Sequence, residues 1–234
     1  ADPERRRRII HDMPDDGGLF ARIVYDKLDG MWVVNGSDID YEPSRDDSIG
    51  AVARRTGVPP VQIILDQLTS NDGQGMIYAP FFNYSYGDLS MSYEAHTHPH
   101  TRMGLSDAGA HCGAICDGGM PTFMLTHWAR DRSRGPRLPL EFVVHRQTRQ
   151  TAQFYGLHDR GAITPGLRAD INIIDFDQLG FDVPRMAFDL PANGRRLVQR
   201  GRGYHATFVA GTQTVADDEF TGALPGRLVR GPQR

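Results

Sequence analysis

A change of pattern near Gly161 constrains this chain more than any other feature. Before it, short apolar runs alternate with helix-like segments. After it, strands and tight turns follow one another without a helix signal. Alternating strand and helix is the pattern of a parallel sheet with helical crossovers, whereas short strands between turn residues mark an antiparallel β region. The sequence therefore predicts an α/β part over residues 1–160 and an all-β part over residues 161–234.

Local signals place the elements. Asp2, Pro3 and Glu4 open a helix whose four arginines, Arg5 to Arg8, form a solvated face. Leu19 to Tyr25 is a short apolar piece, and Met31 to Val34 is a strand candidate between Gly30 and Asn35-Gly36. Asp46-Asp47-Ser48 caps a helix reaching Thr56 and stopped by Gly57. Pro59-Pro60 starts the next, with Ile63, Ile64, Leu65 and Leu68 on its apolar side and Asn71-Asp72-Gly73 at its end. Gly75 to Tyr84 reads as a buried strand with its exit loop, and Gly87 to Ala95 as a short helix. Further helices are expected through Phe123, Leu125 and Trp128 and from Pro139 to Gly156. Strands follow at residues 169–175, 196–199 and 206–209 and around Val215.

The stretch from Met103 to His111, M-G-L-S-D-A-G-A-H, carries the chemistry. A short apolar run drives into the carboxylate of Asp107 and then into Ala108-Gly109-Ala110. A buried barrel strand delivers a functional side chain in this way, at its carboxyl end. Ser106 and His111 flank the carboxylate as candidate substrate contacts, the histidine with a structural hydrogen bond as the alternative. Gly104 to Ala108 also nearly spells a nucleophile elbow, G-x-S-x-G, with Ser106 as nucleophile and His127, His145 or His158 as base. Against that, an elbow runs straight into a helix, and Gly109, Gly113, Gly118-Gly119 and Pro121 keep this chain in loop. The His96-x-His98-x-His100 run imitates a metal motif but reads as a solvated turn with a capping histidine. Cys112 and Cys116 lack the second ligand pair of a zinc ribbon and read as buried small hydrophobes. Asp170 and Asp175 read as turn and edge residues.

Composition excludes several classes. A net charge of -3 gives no reason for nucleic acid or an anionic membrane as partner. No apolar run approaches the span of a membrane helix, and two cysteines make no secreted-style framework. A cytoplasmic protein is expected.

Several separated pieces resemble one family. G-L-S-D-A-G-A-H, the helix with Leu138-Pro139-Leu140-Glu141 and Arg146-Gln147-Thr148, the run from Gly156 to Asp175, and T-G-A-L-P-G-R-L-V-R from Thr221 to Arg230 are similar to the carboxyl-terminal part of amidohydrolase-superfamily enzymes. The N-acyl-D-amino-acid deacylase (D-aminoacylase) branch is the nearest likeness. The resemblance implies the last strand-helix units of a (β/α)8 metal-dependent hydrolase barrel over residues 1–160, then a small β-sandwich segment over 161–234. It implies one or two zinc ions, hydrolysis of N-acyl-D-amino acids or related N-acyl and cyclic amides, and Asp107 as metal contact, general base and then acid to the leaving amine. Amide hydrolysis needs an activated water, a polarised carbonyl and a proton for nitrogen, and a carboxylate beside a metal-bound water serves these ends.

The family's His-x-His and its further histidine ligands have no counterpart here, since the residues before the β tail cannot hold a barrel of about 250 residues. Where the family places an arginine for the substrate carboxylate, this chain has Gly118. The sequence thus reads as a chain with something before it. Its alternative is a catalytically incomplete fragment, partnered by the missing amino-terminal part of the barrel or by self-association, that alone binds little zinc and hydrolyses no N-acetyl-D-amino acid.

Overall fold

In a computed structural model, residues 2–11, 27–36, 39–80, 82–104, 106 and 111–233 are described. They divide into two compact units, Ala1–Glu94 and Ala95–Arg234. The change of pattern at Gly161 falls inside the second unit as a switch of element type.

The first unit opens with α1 (Pro3–His11), capped as its sequence demands by Asp2, whose carboxylate accepts from the Glu4 N–H at 3.0 Å. Strand β1 (Trp32–Val33) leads through a 3-10 turn at Arg45–Asp47 into α2 (Ile49–Thr56). Ser48 caps α2 through its hydroxyl, which accepts from the Ala51 N–H at 3.2 Å, and Gly57 ends it in the left-handed conformation. Helix α3 (Pro60–Thr69) and strand β2 (Ile77–Tyr78) follow. Met31, Trp32, Ile49, Ala53 and Tyr84 form the buried core. The Tyr84 ring meets Trp32 edge-on, and its hydroxyl donates to the Pro43 carbonyl at 2.7 Å. The apolar piece Leu19 to Tyr25 lies outside the described residues.

The parallel pairing expected here is not what forms. β1 and β2 run antiparallel, with Trp32 opposite Tyr78. The reason is the number of crossovers. One helix between two strands returns the chain to the same end, so the second strand runs parallel. Two helices separated only by Gly57-Val58-Pro59 reverse it once more.

The second unit begins within helix α4 (Ser90–Thr97). Helix α5 (Met120–Phe123) continues as a π-helical segment, Met124–Asp131. Helix α6 (Leu140–His145) passes through a second π segment, Arg146–Gln150, into α7 (Thr151–Phe154). Met124, Trp128, Leu138, Val143 and Ala152 are buried there, with Leu179 and Ala206 from the β tail. In that tail, β3 (Ile171–Ile174) joins β8 (Tyr204–Val209), β9 (Thr212–Ala216) and β10 (Glu219–Phe220) in an antiparallel sheet of order β10-β9-β8-β3. Two further ladders pair β4 (Gly180–Phe181) with β7 (Gly201–Arg202), and β5 (Arg185–Leu190) with β6 (Gly194–Val198). Asp170 accepts from the Ala210 N–H at 2.8 Å, and Asp175 accepts from the N–H groups of Asp177 and Gln178, both at 3.1 Å. Asp175 is thus a turn former, and Asp170 a sheet-edge residue that ties down the β8–β9 turn and pairs with Arg160 and Arg168.

The strand expected at Met103 does not form over its described residues: Met103 and Gly104 are irregular. An extended run becomes a strand only when a neighbour supplies its ladder, and no strand lies between Tyr78 and Ile171 among the described residues. Also among the described residues, no helix is long and apolar enough to cross a membrane.

Candidate active site

The stretch from Met103 to Met120 is framed at both ends. At its start, α4 ends in the His96–Thr101 turn. His98 acts as a cap, its Nδ1 accepting from the His100 N–H at 3.2 Å. His96 turns inward, its ring set edge-on to Trp128 with centroids 4.9 Å apart. Burial, and then the Arg146 guanidinium, push the His96 imidazole down to about 4, so it is neutral near pH 7. The three histidines therefore do not converge as metal ligands.

At its other end the stretch is tied to the β tail. The His111 carbonyl accepts from the N–H groups of Ala114 and Ile115, at 2.7 and 3.0 Å, and closes a turn. The Cys112 carbonyl accepts from the Leu197 N–H of β6 at 2.7 Å. A Cβ on Gly119 would come within 2.9 Å of the Gln199 amide oxygen, so the loop reaches α5 only by a close approach.

Of the three residues expected at the site, Asp107 lies outside the described residues. Ser106 is half-buried, and His111 is exposed with φ of 50°. The histidines of the serine-hydrolase alternative are scattered: His145 and His158 are exposed, and His127 stacks on Phe123 at 4.6 Å. Among the described residues after Ser106, residues 111–119 carry no helix of the kind an elbow runs into. Cys112 and Cys116 are free thiols, half-buried rather than fully enclosed. Burial and then Asp117 raise the Cys116 thiol, which keeps it from acting as a thiolate nucleophile.

Among the described residues, no three His, Cys, Asp or Glu side chains come together in a way that could hold a metal ion. That donor set does not fit a zinc ion.

The sequence set Arg146 within a piece that carries the family resemblance but gave it no role; it is buried to 2% exposure and grips the His96–Thr101 turn. One signal was available. Arg146 shares a helix face with Phe142 and Val143, four and three residues back, where an apolar residue belongs.

Comparison with known proteins agrees with the resemblance in the motifs. The model of the Amidohydrolase family matches residues 18–215. An uncharacterized protein of Mycobacterium tuberculosis and one of Mycobacterium bovis are each 31% identical over 182 residues, 75% of this chain. The chain spans only 29% of the length of these relatives. A D-aminoacylase of Alcaligenes xylosoxydans xylosoxydans is 31% identical over 106 residues, 45% of this chain and 19% of that protein. The crystal structure of a D-aminoacylase matches 82% of this chain and 36% of its own, with 22% identity and a TM-score of 0.41. With a family match spanning most of its length and motifs similar to the D-aminoacylase branch, the chain belongs to the amidohydrolase family.

Proposed function

We propose that this chain is the carboxyl-terminal part of an amide hydrolase that deacylates N-acyl-D-amino acids or related N-acyl and cyclic amides. Residues 1–160 then contribute the last strand-helix units of a (β/α)8 barrel, and residues 161–234 a β-sandwich segment. The supporting observation is the family match over residues 18–215, which contains the S-D-A-G-A-H motif intact. Asp107 takes the proton from the attacking water and hands it to the departing amine as the C–N bond breaks. Ser106 and His111 stand beside it as substrate contacts. The family's zinc would need ligands beyond the described donor set, so they come from the remainder of a chain as long as the relatives or from a partner. The enzyme works in the cytoplasm.

The test is release of free amino acid from N-acetyl-D-amino acids by a polypeptide of the relatives' length. Asp107→Asn is expected to lower kcat by about a thousandfold, and a chelator to abolish turnover. Activity that resists the chelator and is lost in Ser106→Ala would refute this function in favour of a serine hydrolase. A second reading, a catalytically incomplete chain that acts only with a partner, is favoured by the 29% span of the mycobacterial relatives. Stoichiometric zinc on the purified 234-residue chain would overturn it.

A further inference from the structure

Arg146 is a buried cation that no carboxylate answers among the described residues. Its Nη1 donates to the Thr101 carbonyl at 3.0 Å and to the Gln150 side-chain oxygen at 2.9 Å. Its Nη2 donates to the His96 carbonyl, to the His98 carbonyl at 3.2 Å and to the Thr101 hydroxyl at 2.9 Å. The Phe142 ring lies 5.3 Å from the guanidinium carbon. A buried charge of this kind is costly unless something of opposite sign meets it.

The end of α4 supplies that opposite sign. The last carbonyls of a helix lack intrahelical donors and carry the negative end of its dipole. The carbonyl of His96, in the last turn of α4, and that of His98, one residue past its end, project into the guanidinium fork. A planar fork of five donors can hold several diverging carbonyls at once, whereas an ammonium is a single point. Thr101 braces the turn from within, its hydroxyl donating to the carbonyls of Ala95 and, at 2.9 Å, His98. Two residues later the chain enters Met103 and Gly104, which no ladder holds.

We propose that Arg146 is the positioning residue of the motif segment. By gripping the carbonyls of His96, His98 and Thr101, it fixes where the chain departs for Gly104 and Ser106. Its bearing on the active centre rests on the function proposed above; the grip itself does not.

Amide hydrogen exchange on the 234-residue chain tests the grip. In Arg146→Lys the hydrogen-bonded amides at the end of α4, Ala95 to Thr97, and that of Thr101 are expected to exchange about tenfold faster or more, with β8 and β9 unchanged. Thr101→Val loses one brace at a half-buried position, is expected to fold, and should give the same local change at about threefold. Unchanged exchange in both variants, or a rise spread evenly over the second unit, would overturn the proposal. A second readout separates gripping from filling space. The groups facing His96 are Trp128, with Arg132 stacked on that indole at 4.6 Å, and Arg146, itself near Arg102. NMR titration of His96 should stay low in Arg146→Lys and rise only part of the way toward the ordinary value in Arg146→Gln, since burial is the larger cause of its lowering. His96 still low with turn exchange raised in Arg146→Lys shows the charge in place and the grip lost, whereas exchange raised only in Arg146→Gln counts against the proposal. In a polypeptide of the relatives' length, Arg146→Lys should lower kcat about tenfold with KM little changed. An unmodified protein of that length without amide hydrolysis would instead refute the proposed function and leave exchange and titration to decide the grip.

Discussion

In the β tail, Ala210-Gly211 joins β8 to β9 and Asp217-Asp218 joins β9 to β10, and all four residues have positive φ. Two-residue hairpin turns demand that geometry, so each strand finds its partner within a few residues of sequence. Among the described residues, the stretch between Thr101 and Met120 has no such neighbour. It is anchored by Arg146 at one end, 45 residues away along the chain, and by Leu197 of β6 at the other. Both regions belong to one unit, yet one is specified locally and the other by contacts distant in sequence. Local specification can be read from residue order, and distant specification hardly at all.

That contrast can be attacked directly. Trp128→Ala should be the most damaging change, costing about 3–5 kcal/mol by opening a cavity beneath His96 and Arg132. Denaturant unfolding would measure the loss, and exchange should rise at residues 95–101 while β8 and β9 stay protected; equal loss in the tail would erase the distinction. Gly203→Ala attacks the tail instead. Gly203 has φ of 89°, and a Cβ there would lie 2.8 Å from the Leu179 backbone. The expected loss is on the order of 3 kcal/mol, seen first in the β8 amides.

Between pH 6.5 and 4 acid should act on the motif side through His96, whereas the Asp159 and Asp189 carboxylates, held down by Arg160 and Arg196, give way only at lower pH. The unfolded His96 imidazole takes its proton below about pH 6.5, whereas the folded one does so only near 4. Stability is thus full above pH 6.5 and falls as the pH drops from there. The His96 contribution levels off below 4, after a loss on the order of 2 kcal/mol once solvent screening is allowed for. His96→Gln should flatten that part of the curve, and an unaltered slope would remove His96 as its source. Ser48→Ala, in the first unit, should cost only about 1 kcal/mol, through the Ala51 N–H left without its acceptor.

The same division explains what residue order disclosed. Helix starts at Asp2 and Ser48, the stop at Gly57 and the strands after Gly161 are local events, and they lie where their residues place them. The antiparallel pairing of β1 with β2 depends on how two helices stack, which no periodicity encodes. Met103 and Gly104 have the composition of a strand but no ladder. Around the site, the S-D-A-G-A-H motif was legible because it is contiguous. The grip of Arg146 was not, because the turn it holds sits 45 to 50 residues upstream and is held mostly by backbone carbonyls, which every residue owns.

The chain holds two tryptophans, and the fold buries one in each unit, Trp32 at 4% exposure and Trp128 at 2%. Each unit therefore carries its own optical probe. With Trp32→Phe or Trp128→Phe, the intrinsic emission of the chain reports on one unit at a time. Of the two indoles, Trp128 has His96 against it, so its emission in the Trp32→Phe chain should be quenched as that imidazole gains a proton near pH 4.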